Sequence, residues 1–326
     1  MDILNPKTLR QQAETSLRRG REPQKLIYTF AGVSLAISVA IFLANLWLDD
    51  QISGTGGLGN LGTRAIFSTI QQSIPVLSSV VAMCLDLGFL GGLMRISRGQ
   101  YADHTDLKTG FRKLWPLVRL VLLQMALYLA IAFLAFQLGG LIFTFTPWAG
   151  PLMEVLYPLY ESGAANIEEA VLLELMGMMI PMFIITCIVF LVILTPFLYR
   201  MRMAYFCLLD DPRGRAMAAI RESSRMMRRR FGQMLKIDLS LWLYYAANVL
   251  MWVVLYADLI MAVLGIPFPV KAEIFSFLVY AAAVLIQFAI HAWVRPTAEL
   301  TYLNAYDALR EKSQDSGVVL GNIFDM

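Results

Sequence analysis

Cysteine and histidine are scarce in this chain, three of one and two of the other in 326 residues. Cys84, Cys187 and Cys207 form no CxxC pair, so neither a disulfide framework nor a zinc site is implied. With His104 and His291 the only histidines, HExxH is excluded, and neither GxSxG nor a P-loop occurs. No pair of carboxylates at a fixed helical spacing faces a shared site. The sequence therefore offers no catalytic residue, no metal ligand set and no cofactor signature, and it reads as a non-enzyme. Charge is scarce as well: Asp, Glu, Lys and Arg make up 16% of the chain against 58% hydrophobic residues. No long polar region remains from which a separate soluble domain could be built.

What is present is long apolar runs, with a mean hydropathy of +0.61. A bilayer core about 30 Å thick needs roughly 20 apolar residues to be crossed as a helix. Six stretches meet that length, at roughly 26–48, 70–94, 115–138, 172–199, 237–264 and 274–294. All are too long for the strands of a membrane β-barrel, which alternate over roughly 10 residues. The expected fold is all-α, a single six-span membrane domain over residues 1–326. The N-terminus does not read as a cleavable signal, because its first 25 residues are polar and basic.

Lys and Arg are distributed very unevenly among the connecting segments. Six precede Leu26, five lie between Arg95 and Leu114, ten between Arg200 and Lys236, and three follow from Arg295. The opposite side holds two, Arg64 and Lys271. By the positive-inside rule both termini and the two basic loops are cytoplasmic, and the expected location is a bacterial cytoplasmic membrane. On the outer side, Asp49–Thr69 is glycine-rich. Gly139–Val171 mixes Pro147, Trp148, Pro151, Tyr157, Pro158 and Tyr160 with four glutamates, a composition suited to the membrane interface. The third outer loop is a short IPFP turn. Gly54-Thr55-Gly56-Gly57-Leu58-Gly59 matches GxGxxG, but that pattern binds dinucleotides only between a strand and a helix. In an outer loop it reads as a flexible linker.

The segment AMAAIRESSRMMRRRFGQM places Ala216, Ile220, Ser223, Met227, Phe231 and Met234 on one face at 100° per residue. Arg215, Arg221, Arg225, Arg228 and Arg229 fall around the rest. Asp210-Asp211-Pro212 precedes it as a helix start. The expectation is an amphipathic cytoplasmic helix over about 213–233 that feeds directly into the fifth span. A second is expected over about 6–19, capped by Asn5-Pro6, with Leu9, Ala13, Ser16 and Leu17 on one side. Together they would form a cytoplasmic collar whose arginines meet anionic headgroups or a partner protein. Nucleic acid is not expected, since no aromatic platform accompanies the charges.

Ionisable residues inside spans are candidate functional groups. Asp86 lies about eight residues, or roughly 12 Å, inside the second span. Arg119, Asp238 and His291 lie at similar depth in other spans, with Gln124 among the deeper polar groups. These five could line one inward-facing polar cavity, with Arg119 the natural counter-ion of Asp86, or they could form a structural ion-pair network. Gly88 and Gly92 form a GxxxG pair suited to close helix packing, within one chain or in a homo-oligomer. Pro75, Pro181 and Pro196 interrupt spans, where proline can kink a helix.

Several segments together resemble a known family. RQQAETSLRRG, GLMRISRGQYADHTDLKTGF, YRMRMAYFCLLDDP, AAIRESSRMM, IDLSL and PTAELTYLNAYDAL resemble, in order along nearly the whole chain, the bacterial multipass membrane family catalogued as domain of unknown function nine-seven-five. The matching positions include Arg98-Gly99, Gly110-Phe111, Asp211-Pro212, Ala219, Ser223, Met227, Asp238, Leu239 and Ser240. Phe197 and Arg229 depart from it, standing where glycine is usual. The resemblance implies architecture and no activity, and it concentrates on the cytoplasmic segments. The first functional expectation is therefore a scaffold or accessory subunit acting through the collar. The alternative is a transporter or permease for a small or lipid-like substrate, using the cavity around Asp86.

Overall fold

The computed structural model describes residues 4–19, 22–54, 61–161, 169–211, 213–228, 230–263 and 272–315. Several sequence expectations fall outside them: most of the GxGxxG segment, the IPFP turn, Pro212, Glu168, Arg229 and Lys271.

The chain is all-α and polytopic. About 90% of the described residues are helical, and none of them forms a strand. In chain order the helices are α1 (Pro6–Arg18), α2 (Glu22–Gly54), α3 (Leu61–Ser97), α4 (Lys108–Arg112), α5 (Leu114–Thr144), α6 (Ala149–Glu161), α7 (Glu169–Met201), α8 (Ala204–Asp210), α9 (Ala216–Met226), α10 (Phe231–Ser240), α11 (Trp242–Leu255), α12 (Ala257–Val263), α13 (Ala272–Ala289) and α14 (Arg295–Asp315). Among the described residues, five stretches are long and apolar enough to cross a membrane, and a sixth is if α10 and α11 count together. Their outward faces carry large apolar side chains, among them Leu129 and Phe133 of α5 and Phe183 and Val192 of α7, each about two-thirds exposed. In water such a surface would cost roughly 25 cal/mol per Å², whereas hydrocarbon accepts it.

The expected fifth span, 237–264, is not one straight helix. α10 and α11 meet at Leu241 at 67°. No Gly or Pro marks this break. Ser240 instead donates its hydroxyl back to the Ile237 carbonyl at 2.7 Å, a local bond that competes with the helical ladder and bends it. The basic segment also differs from expectation. α9 stops at Met226 instead of continuing to Gln233, and α10 begins only at Phe231; between them the Arg228 N–H donates to the Arg225 carbonyl and the Arg230 N–H to the Met227 carbonyl. Three consecutive arginines followed by Gly232 give weak support for propagation.

Where the sequence reads as one domain, the helices gather into two compact units. Unit 1 comprises residues 1–117, 205–215 and 232–326, and unit 2 comprises 118–204 and 216–231. In unit 2, α9 packs on α7. It buries Ala219, Ile220, Ser223 and Met226 while Arg221, Arg225 and Arg228 stay exposed. Ser223 is the polar member of that buried face, and its hydroxyl donates to the Arg200 carbonyl at 2.6 Å and accepts from the Met203 N–H at 3.2 Å. Within the same unit α5 meets α7 at Gly139, where a Cβ would lie 2.8 Å from the Thr186 Cα.

In unit 1, α2 and α3 pack along their length, and α1 packs on α14 and α3. The α1 start is as expected: Pro6 sits in the first turn, and the Asn5 side chain accepts from the Lys7 N–H at 3.1 Å. Leu9 and Ala13 are buried, and the Leu9 carbonyl accepts from the Asn304 amide at 3.2 Å. The residues after α3, expected as a loop, fold back on it. A capping box of Asp103 and Asp106 starts a single 3₁₀ turn, His104–Leu107, which leads into α4. Buried Asp106 also accepts from Arg95 at 2.7 Å. This return accounts for Gly88, and α2 accounts for Gly92. A Cβ at Gly88 would lie 2.3 Å from the Leu107 carbonyl oxygen, and one at Gly92 2.5 Å from a Leu26 methyl. Both glycines are covered from within the chain.

Candidate functional site

The carboxylate of Asp86 lines a cavity of about 270 Å³ within unit 1. Its polar wall is Ser34 and Ser38 from α2, Ser78, Ser79 and Asp86 from α3, and Gln287, His291 and Arg295. Ile37, Ile41, Ala82 and Leu85 supply the apolar wall. Ser78 and Ser79 donate their hydroxyl hydrogens to the Pro75 carbonyl, at 3.0 and 2.6 Å. Their remaining polarity is lone pairs, so these two serines are acceptors.

The cation of the cluster is Arg295. Its Nη1 lies 2.9 Å from Asp86 Oδ1, and its Nε lies 3.5 Å from Glu299 Oε1. Nη1 is also 3.3 Å from His291 Nε2. Because a guanidinium can only donate, Nε2 is the acceptor, the imidazole proton sits on Nδ1 and the ring is neutral. That Nδ1 is buried without a hydrogen-bond partner among the described residues. The guanidinium further sits over Phe30 and Phe89, 5.2 and 5.8 Å from their centroids, and those two rings stack at 4.2 Å. Cation–π contacts of this kind strengthen when desolvated. Exposure is unequal across the ion pair: the Arg295 side chain is 13% exposed and that of Asp86 41%.

The backbone places these groups by an unusual route. Residues Ile290–Val294 form a π-helical turn in which the Arg295 N–H reaches back to the Ile290 carbonyl. Pro296 follows. Its ring would collide with the carbonyl four residues earlier in a regular helix, and the widened turn relieves that conflict. The helix therefore runs on as α14, carrying Arg295 past the point where the sequence reading ends the sixth span.

Of the residues expected to share a cavity, Asp86 and His291 line this one. Asp238 belongs to the same unit and is held by the hydroxyls of Tyr245, at 3.1 Å, and Tyr302. Arg119 and Gln124 belong to unit 2, and each has partners there or elsewhere in the chain. The counter-ion of Asp86 is thus Arg295, not the expected Arg119. Arg295 follows the last apolar residue and precedes Pro296, a pattern that reads in the sequence as a helix end.

A second cluster in unit 1 is formed by segments that carry the family resemblance. Arg98 grips Asp210 with both arms, Nη1 to Oδ1 at 2.7 Å and Nη2 to Oδ2 at 2.9 Å. Its Nη2 also donates to Asp307 at 2.8 Å. Arg310 and the Tyr306 hydroxyl donate to Asp210 as well, the latter at 2.8 Å. These carboxylates hold the Arg98 pKa above its usual value, the Asp210 hydrogen bond contributing most. Lys113 closes the C-terminus of α8, its Nζ donating to the carbonyls of Leu208, Leu209 and Asp211 at 3.1, 2.9 and 3.2 Å. Burial lowers the Lys113 pKa.

Asp211 organises the turn that follows. Its carboxylate accepts from the Arg213 and Arg215 N–H groups, each at 2.9 Å, and Gly214 supplies the positive φ of 58° that the turn requires. Burial alone would raise the Asp211 pKa, but these two hydrogen bonds and the Arg215 and Lys113 charges bring it below 3.8. A carboxylate with a depressed folded pKa contributes stability above the unfolded value and loses it as pH falls through the folded one. Asp211→Asn should therefore flatten the loss of stability expected below about pH 4, as measured by thermal melts across pH. An unchanged acid limb would show that the carboxylate does not hold the turn.

Among the described residues no group of three or more His, Cys, Asp or Glu side chains could hold a metal ion. Compared with known proteins, the chain matches no family model, no curated protein and no solved structure.

Proposed function

We propose that the protein is a membrane permease that receives a small polar solute in the Asp86 cavity. The observation that carries this reading is a cavity with a part-exposed carboxylate and other polar side chains in one wall, among otherwise apolar helices. Ionised groups at membrane depth cost several kcal/mol unless function or pairing retains them. Two further features support it. Broken helices recur around the binding sites of transporters, as at Leu241 here, and π-helical turns recur at functional sites, as at Ile290–Val294. The charge asymmetry of the loops supports a bacterial cytoplasmic membrane with both termini cytoplasmic. The loop motifs support membership of the multipass family they resemble. In this reading the protein is not an enzyme. The exposed arginines of α9 then rest among anionic headgroups, and α1 and α9 are its amphipathic cytoplasmic helices.

The competing reading is the scaffold or accessory subunit, in which the Asp86–Arg295 pair only pins helices. Native mass spectrometry of the protein released from mild detergent separates the two, comparing wild type with Asp86→Asn. A discrete non-lipid ligand that disappears in the variant supports the permease. Anionic lipids or a co-purified protein alone, unchanged by the substitution, sink it.

A further inference from the structure

The two charges of the cavity are not equivalent, and the difference points to a solute class. Arg295 is closed in by its neighbours. Its Nη1 meets Asp86 and His291, its Nε faces Glu299 but is buried without a hydrogen-bond partner among the described residues, and the guanidinium lies over Phe30 and Phe89. An anionic solute would have to displace carboxylates already in place from a side chain only 13% exposed. Asp86 offers the opposite situation, a carboxylate with 41% of its side chain open and two acceptor serines on the same wall. Counting Asp86 and Glu299 against Arg295, with His291 neutral, the cluster carries net negative charge. In a low-dielectric surrounding this favours a cation.

The volume separates an organic cation from a bare ion. A cavity of about 270 Å³ equals about nine water-sized volumes at ~30 Å³ each, and most of its lining surface is apolar, from Ile37, Ile41, Ala82 and Leu85 with the alkyl portions of their neighbours. A metal ion would leave that apolar wall without contact. An alkylammonium or alkylguanidinium would use both walls.

Resting on the permease reading, we infer that the cavity selects small organic cations, ammonium or guanidinium compounds of up to about nine non-hydrogen atoms. Asp86 is their counter-ion, and Arg295 is a fixed positioning residue that sets the carboxylate in place.

Calorimetric titration of the full-length protein in lipid nanodiscs tests this with five probes: ethylammonium, methylguanidinium, sodium ion, glycerol and propionate. The two organic cations should bind and compete with each other. Sodium, glycerol and propionate should bind at least about tenfold more weakly. Asp86→Asn should weaken the organic cations by a similar factor. Because that change also strips Arg295 of its partner, Gln287→Leu serves as a second variant. It alters the wall without touching the ion pair and should weaken both cations while leaving the melting temperature unchanged. Glycerol, propionate or sodium binding as tightly as the cations, with Gln287→Leu reducing it, overturns the cation assignment and leaves the permease reading standing. No binding by any probe overturns both.

Discussion

Asp210→Ala should lower the melting temperature of the detergent-solubilised protein by roughly 6 °C or more. The argument begins with what the carboxylate satisfies. Asp210 is 14% exposed in its side chain and takes both arms of Arg98, one arm of Arg310 and the Tyr306 hydroxyl. Removing one member of a buried pair leaves the remaining charge without compensation, at about 3–5 kcal/mol. Here two guanidiniums lose their acceptor. Each is about a third exposed, and solvent screening brings the expectation to the lower end of that range. Asp307 retains part of Arg98, which again limits the loss. A double-mutant cycle with Arg98→Ala should be strongly non-additive, because once the arginine is gone the carboxylate has less to compensate. Additive effects would show that the pair contributes nothing as a pair. Arg98→Lys should recover little, since a point-like ammonium cannot reproduce the two-armed grip.

This cluster shows what the sequence could and could not disclose. The spans were legible because bilayer thickness imposes a length, and length and apolarity are written along the chain. Asp86 was legible because a lone carboxylate in an apolar run is conspicuous. Its partner was not. Arg295 follows the apolar run directly and precedes Pro296, and only the π-helical turn, invisible in residue order, returns it to the cavity. The break at Leu241 was hidden for a related reason. It depends on a serine hydroxyl choosing its own helix carbonyl, and nothing in IDLSLWL distinguishes that choice from an uninterrupted span. The basic segment was readable in its periodicity but not in its end point, because Ile220, Ser223 and Met227 do fall on one buried face while the turn after Met226 breaks the helix beyond them. Arg98 stands out in the sequence as a motif position without a reason, while Asp210 and Tyr306 only lie inside the resembling segments. The reason is spatial: three segments distant in the chain meet on one carboxylate.

Gly110→Ala should be as damaging as the loss of Asp210, although it adds one methyl group and removes no bond. A Cβ at Gly110 would lie 1.7 Å from the Cys84 carbonyl oxygen, 2.7 Å from its carbon and 2.9 Å from the Gly88 nitrogen. All three are backbone atoms of α3, so no side-chain rotation can make room. Either α4 or α3 has to move. Overpacking against a yielding neighbour costs about 1–3 kcal/mol, and a rigid neighbour places this substitution at or above the upper figure. The propensity of alanine works in the opposite direction, favouring the helix over glycine by about 1 kcal/mol. Two other glycines isolate that contribution. A Cβ at Gly32 would meet nothing within 4 Å, and one at Gly91 would rest 3.6 Å from a Leu209 methyl. Gly32→Ala and Gly91→Ala should therefore hold or raise the melting temperature, while Gly110→Ala and Gly88→Ala lower it by several degrees. If all four alanine variants move the melting temperature together, α4 does not approach α3 as closely as Leu107 and Cys84 indicate. The segment after α3 would then be the exposed loop that its composition suggests. If they divide as expected, small residues at Gly88 and Gly110 are what allow the short helix α4 to lie directly on α3. That contact fixes the register of the chain end on which Arg98 reaches Asp210.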